Sequence, residues 1–360
     1  MSSFLKRCSL AAIGLRTPDN TEMGGWVERS STRQSGFCMR KTPATLAVLL
    51  GVLSGLASQL LAEDWPEFRG PTGQGISNEK NLPAEWSAEK NVKWKTPIEG
   101  LGWSTPALVK GRLYLTTAQT IEGQISLELV IVDAANGKIL KQEQIFTHDE
   151  KSAPGIHSKN SHASPSPLVV NDRVYLHFGH MGTACVDLEG KPVWKNQDLA
   201  YRPVHGNGGS PVYVDGLLVF TADGASDPVV IALDAQTGDV RWKYPRPAVD
   251  SKHFSFATPL VIEVAGEKQI IAPGGGSVSA LRPSDGSEIW RMYYGDGYSV
   301  IPRPVFAHGL VFVSSSYDNA VAYAIRPDGQ GDVTKTHVAW STDKGAPHTP
   351  SMLVVGDELY

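Results

Sequence analysis

VVIALDAQTGDVRW, residues 229–242, decides the fold. An apolar, β-branched run ends in Asp234, a Thr237-Gly238 turn follows, and a second short run carries Trp242. Asp and Thr initiate turns, and glycine takes the positive φ that a tight reversal demands. The unit recurs along the chain. ACVDLEGKPVW sets Asp187, Gly190 and Trp194 in the same order, and VSALRPSDGSEIW sets Gly286 and Trp290, with Arg282 in the aspartate position. RPDGQGDVTKTHVAW stretches the turn before Trp340, and VIVDAANGKILK carries Lys141 in the tryptophan slot. Trp194, Trp242, Trp290 and Trp340 are 48, 48 and 50 residues apart.

A hairpin pattern opens each period. It reads Thr105-Pro106-ALV-KG-RLYL, Ser166-Pro167-LVV-ND-RVYL, Ser210-Pro211-VYV-DG-LLVF, Thr258-Pro259-LVIEV-AGEKQII and Arg303-Pro304-VFA-HG-LVFV. A sixth opening at Thr349-Pro350 stops at Tyr360. Four strands of about five or six residues with tight turns fill a period of this length. The expected fold class is all-β: a β-propeller of four-stranded antiparallel blades over 63–360, about five and a half of them present, truncated at the carboxyl end. The tryptophans read as packing wedges between blades rather than ligand stacks. Trp94, in VKWKTP at 92–97, reads as an outer strand that completes the last blade and closes the ring.

Composition agrees with a turn-rich β protein: 36 glycines, 24 prolines and 19% charged residues. The net charge of -4, without a basic stripe, points away from a nucleic-acid partner. The three cysteines are Cys8, Cys38 and Cys185. The first two precede the expected mature start, so neither an intrachain disulfide nor a cysteine metal site is expected. Residues 39–62, MRKTPATLAVLLGVLSGLASQLLA, have a basic start at Arg40-Lys41, an apolar stretch from Ala44 to Leu61 and a small residue at Ala62. That is the layout of a signal peptide, with an uncleaved anchor as the other reading. Residues 1–38 show no hydrophobic period and read as a non-native upstream extension before a true start at Met39. The expected product is periplasmic or extracellular, soluble after cleavage, and a monomer.

These motifs resemble the PQQ-like, or quinoprotein alcohol dehydrogenase-like, propeller repeat family, from about Asp64 to Tyr360. LDAQTGDVRW at 233–242 matches the repeat signature most closely, and DWPEFRGP at 64–71 resembles the opening of a group of secreted bacterial propellers. The resemblance implies an eight-bladed ring in the full-length protein. It also implies two functional classes. One is a quinone-dependent dehydrogenase; the other is a non-catalytic scaffold, like the propeller lipoprotein of the outer-membrane barrel-assembly machinery. In the dehydrogenases, adjacent cysteines cover the quinone and a carboxylate-rich site holds calcium. This sequence has no adjacent cysteines and no carboxylate–Asn cluster matching a calcium site. Neither PQQ nor calcium is therefore expected, no catalytic residue is assigned, and the protein reads as a binding scaffold for a protein or small-molecule ligand.

The loops before the inner strands are rich in His, Asn, Gly and Ser: HSKNSHASPS at 157–166, HGNGGS at 205–210, DGYSVIPR at 296–303 and GAPHT at 345–349. In a propeller such loops share one face around the axis. His162, His205, Arg303 and His348 are the candidate ligand-binding residues, with His157 and His253 in the same kind of loop. Convergence from different blades argues against a metal site there. PGGGS at 273–277 lacks the Lys-Ser/Thr of a phosphate loop and reads as a turn. DGASD at 223–227 reads as a turn before a calcium loop, and HGNGG at 205–209 as a turn before an anion nest.

Overall fold

The computed structural model describes residues 8–9, 63–199, 201–247 and 253–360. The expected signal segment lies outside the described residues, as does the upstream extension apart from Cys8–Ser9. The first blade is formed by β1 (Ala107–Val109), β2 (Arg112–Ile121), β3 (Gln124–Asp133) and β4 (Ile139–Asp149). The second is β5 (Leu168–Val170), β6 (Arg173–His177), β7 (Thr183–Asp187) and β8 (Pro192–Asn196). The third is β9 (Val212–Val214), β10 (Leu217–Ala222), β11 (Val229–Asp234) and β12 (Val240–Pro245). The fourth is β13 (Leu260–Val264), β14 (Glu267–Pro273), β15 (Ser277–Leu281) and β16 (Glu288–Tyr293). The fifth is β17 (Val305–Ala307), β18 (Leu310–Ser314), β19 (Ala322–Ile325) and β21 (Val338–Thr342). Each is an antiparallel meander in chain order. β20 (Gly331–Asp332), from the stretched turn of the fifth blade, runs parallel to β16 and joins the fourth sheet. β22 (Val354–Val355) and β23 (Glu358–Leu359) form a sixth hairpin. No α-helix occurs among the described residues.

The inner hairpins close as the sequence demands. Lys110-Gly111, Asn171-Asp172, Asp215-Gly216, Ala265-Gly266 and His308-Gly309 all hold positive φ at both turn residues. That is the type I′ geometry which matches strand twist. In every blade the ladder between the third and fourth strands slips by one residue just before the Trp slot, as at Ala232/Leu233 opposite Trp242 and Cys185/Val186 opposite Trp194. Such a bulge re-aims the next side chain. Here it turns the indole toward the neighbouring blade.

The tryptophans are the inter-blade staples. Trp94 donates its indole N–H to Ala134 O at 3.0 Å, Trp194 to Ala235 O at 3.0 Å, and Trp242 to Pro283 O at 2.9 Å. Each ring lies against the turn glycine of the blade it reaches. A Cβ on Gly137, Gly238 or Gly286 would stand 2.5 Å from that ring. The aspartate fixes the turn from inside: Asp234 Oδ1 accepts from Gln236 N at 2.8 Å and Thr237 N at 3.1 Å. Lys141, in the slot without an indole, donates to Gly190 O at 3.1 Å. Trp290 reaches its neighbour through a relay: it donates to Gln269 Oε1 at 2.9 Å, and Gln269 Nε2 donates to Pro327 O at 3.1 Å. Trp94, expected on an outer strand completing the last blade, docks on the turn of the first blade, and residues 92–97 form no strand.

The Ser/Thr before each inner-strand proline also links blades. Thr105 N donates to Ser166 Oγ, Ser166 N to Ser210 Oγ, and Ser210 N to Thr258 Oγ1, each at 2.9 Å. The fifth blade continues the series, with Arg303 N donating to Ser351 Oγ at 2.9 Å. The structural counterpart of the earlier openings is therefore Ser351-Met352, two residues beyond the expected Thr349-Pro350. Leu353, Val354 and Gly356 then fall where Val212, Tyr213 and Asp215 fall in the third blade.

The segment DWPEFRGPTGQG, residues 64–75, crosses the inner strands. Trp65 pairs with Leu108 of β1, Pro66 O accepts from Val169 N at 2.8 Å, and Gln74 Oε1 accepts from Phe306 N at 2.6 Å. These N–H groups point away from the hairpin partner, so the segment satisfies donors that the blades leave open.

Candidate ligand-binding face

The loops preceding the inner strands are bonded to one another beneath a row of rings. His157 and His205 meet edge to face with centroids 5.5 Å apart, and His205 meets Phe254 at 5.6 Å. Phe254 meets Tyr298 at 5.5 Å, Tyr298 meets Tyr317 at 6.2 Å, and Tyr317 meets His348 at 5.9 Å. The row runs from the loop entering the second blade to the loop entering the sixth. Backbone bonds underlie it: His157 N donates to His205 O at 3.2 Å, Ser299 N to Phe254 O at 2.9 Å, and Tyr317 N to Tyr298 O at 3.3 Å. Ser316 Oγ bonds both Ser299 O, at 3.1 Å, and His348 O. Trp103, 56% exposed, lies in the loop before β1, its backbone N–H donating to Ala163 O at 3.2 Å.

The expected site residues separate into three environments. His205 and His348 are exposed members of the row. His162 is half-buried, and its Nδ1 has no hydrogen-bond partner. Burial, with the charge of His148 adding to it, holds its pKa below the usual imidazole value. His180 is a neighbour in the same way: burial first, then His162, depresses it to about 4. Its Nδ1 lies 3.1 Å from Asn207 Nδ2, and Asn207 Oδ1 accepts from Tyr201 OH at 2.5 Å.

Arg303 stands apart from the histidines. It is 1% exposed, donates from Nε to Pro259 O at 3.0 Å and from Nη1 to Phe68 O, and lies 3.4 Å from Glu67. Arg303, expected beside the histidines, clamps the 64–75 segment with its guanidinium. Burial opposes charge on both partners, lowering the pKa of Arg303 and raising that of Glu67 despite their attraction. Gly73 approaches so closely that a Cβ there would lie 2.7 Å from the guanidinium. A cavity of about 260 Å³ beside this clamp is lined by Leu168–Val170, Val212, Tyr213, Leu260 and Val261 with Glu67 and Arg303.

Asp223 of DGASD is also structural. Its Oδ1 accepts from Arg246 Nε at 2.8 Å, both side chains are buried, and Arg246 further donates to Ala272 O and Pro273 O. Burial pushes the Asp223 carboxyl up to about 6 against the pull of Arg246.

Phe254, Tyr298 and Tyr317 are the residues that reasoning from the sequence missed. Tyr298 stands inside the quoted DGYSVIPR loop. Phe254 follows His253, and Tyr317 lies between β18 and β19, a loop that carries no proline marker. The available signal was an aromatic residue at the same end of successive blades.

A family model described as outer membrane protein assembly factor BamB matches residues 74–210 and 189–360. A protein of Paracoccus denitrificans named as the dehydrogenase XoxF is 28% identical over 151 residues, covering 36% of this chain and 23% of its own length. Among solved structures, a europium-containing methanol dehydrogenase superposes with a TM-score of 0.48 at 12% identity, over 66% of this chain and 50% of its own. BamB from Moraxella catarrhalis superposes with a TM-score of 0.40 at 16% identity, over 74% of this chain and 82% of its own. The chain thus spans half the methanol dehydrogenase and a smaller share of the curated relative. Docked tryptophans, aspartate-capped turns and a family match that runs from Gln74 to Tyr360 place the chain in the BamB-type family of PQQ-like repeat β-propellers.

Proposed function

We propose that the protein is an exported, monomeric, non-catalytic propeller that binds a protein or small-molecule ligand on the face carrying the ring row. The observation that carries this reading is the row itself, in which six rings from His157 to His348 make contact across successive blades. The blades below are closed by indole and hydroxyl bonds, so the loops stand on a rigid base. Rigid scaffolds with convergent loops are where recognition concentrates.

The dehydrogenase reading finds less support. A quinone-and-calcium site needs free carboxylates around the ion. The deeply buried carboxylate of Asp223 pairs through Oδ1 with Arg246 at 2.8 Å, and its Oδ2 has no hydrogen-bond partner. Among the described residues, no group of three His, Cys, Asp or Glu side chains is placed to hold a metal. No redox step is derived.

The test is a His157→Ala, His205→Ala, His348→Ala variant of the full-length protein, with an unchanged circular dichroism spectrum. The expected result is loss of the ligands that the unaltered protein retains. Retention of all of them moves recognition to another surface.

A further inference from the structure

The chemistry of the ring row narrows the ligand class, an argument that rests on the reading of this face as the binding surface. Four of the five adjacent pairs are steep, 90° for His157–His205, 84° for His205–Phe254, 75° for Phe254–Tyr298 and 89° for Tyr317–His348, and Tyr298–Tyr317 is tilted at 43°. Edge-to-face contact fills the space between neighbours. No two neighbours in the row are parallel, so the ridge lacks the slots between parallel rings that take up proline side chains.

The backbone beneath is also committed. His205, Ser299, Ser316 and Asp318 hold φ between 52° and 68°, a left-handed conformation disfavoured for residues with a Cβ. Cross-loop bonds hold these positions: Asn160 Nδ2 donates to His205 O at 2.9 Å, and Ser299 N and Tyr317 N donate across the row. Retained strain of this kind gathers at sites where geometry matters. With those carbonyls already bonded, the ridge lacks the open row of N–H and C=O groups that an extended peptide pairs with.

Charge gives the third constraint. Asp296, Asp318 and Asp343 share these loops with Lys159, Arg202 and Lys344, so neither sign dominates. A polyanion such as nucleic acid would need the cations to prevail. What remains suited to the ridge is a neutral ligand with a flat C–H face for the rings and hydroxyls for the exposed imidazoles of His157, His205 and His348. We propose that the ridge from His157 to His348 binds a neutral oligosaccharide laid across its ring faces.

The experiment titrates the full-length protein with neutral oligosaccharides of glucose, xylose and N-acetylglucosamine, with heparin and a polyproline peptide as controls, read by intrinsic fluorescence and calorimetry. Tyr317, 41% exposed, is replaced as Tyr317→Ala, and His348→Ala serves as a second variant at the exposed end of the ridge. The expected result is saturable binding of at least one neutral saccharide, weakened about tenfold or more in both variants, a change on the scale of one stacking contact. Binding of heparin or polyproline alone, or saccharide affinity unchanged in both variants, overturns the assignment. If no saccharide binds while the triple histidine variant still loses its ligand, the ligand class falls and the binding face stands.

Discussion

Trp242 of the third blade gives its indole N–H to the carbonyl of Pro283 in the fourth at 2.9 Å, and its ring covers Gly286. One side chain thus joins two consecutive sheets through a hydrogen bond and a large buried area. Trp94 and Trp194 make the same link to the blades that follow them. The repeat is a docking device: a tryptophan wedge from one period sits on the turn of the next, with Lys141 standing in for the indole in the first blade.

Trp242→Ala and Trp290→Ala should each destabilise the protein by about 3–5 kcal/mol, the usual cost of truncating a buried large aromatic. Both rings are buried. Urea unfolding at fixed protein concentration measures the loss; a cost near zero would show that the rings do not hold the blades together.

Gly286→Ala probes the receiving side. The residue holds φ at 73°, and the new methyl would meet the Trp242 ring at 2.5 Å. The change combines a left-handed backbone penalty with overpacking, so a loss of about 2–4 kcal/mol is expected. In Trp242→Ala the clash is gone, and the same glycine substitution should cost about 1–2 kcal/mol, the backbone term alone. Equal costs in the two backgrounds would deny the contact.

The periodicity that reveals these pairs is legible because packing between blades imposes the same residue at the same place in every turn of the repeat. Trp194, Trp242 and Gly238 could be read from spacing alone. The partner of Trp290 could not, because the relay through Gln269 replaces a direct bond and leaves no mark in the motif. Blade six shows another limit. Thr349-Pro350 copies the opening dipeptide, yet the hydroxyl that accepts from Arg303 N belongs to Ser351. A dipeptide is a weaker register signal than a hydrogen-bonded series. Candidate site residues were legible only as types. His205 and His348 reached the ridge, whereas Arg303 was drawn inward by the 64–75 segment, a contact across 235 residues that spacing cannot disclose.

Acid should weaken the fold through the histidines of the second blade. Burial depresses His177 to about 3 and His180 to about 4. The unfolded chain takes up these protons near the ordinary imidazole pKa of about 6.5 while the folded chain refuses them. Their contribution is therefore full above that value and declines as pH falls toward 4. Asp223 and Glu67 act in the opposite sense, because burial raises their folded pKa and protonation favours the fold. A comparison isolates the histidine part: between pH 6.5 and 4, the unfolding free energy of the unaltered protein should fall more steeply than that of His180→Gln. Parallel slopes would contradict the assignment.

Arg303→Met should release the 64–75 segment. It removes donors to Phe68 O and Pro259 O and leaves Glu67 buried without its partner. Breaking a buried ion pair from one side costs about 3–5 kcal/mol. Limited proteolysis should then cut near Arg69, a site protected in the unaltered protein. Glu67→Gln in the same background should recover part of the stability, and failure to do so would show that the pair is not coupled.

The central claim is that recognition takes place on the face built from the loops before the inner strands. Hydroxyl-radical footprinting of the full-length protein, with and without an extract of its native compartment, tests it most directly. Tyr317, Trp103 and His348 on that face should become protected, while the exposed outer-strand residues Leu140, Val193 and Val240 keep their reactivity. Protection confined to the outer strands, with Tyr317 and Trp103 unchanged, would contradict the account.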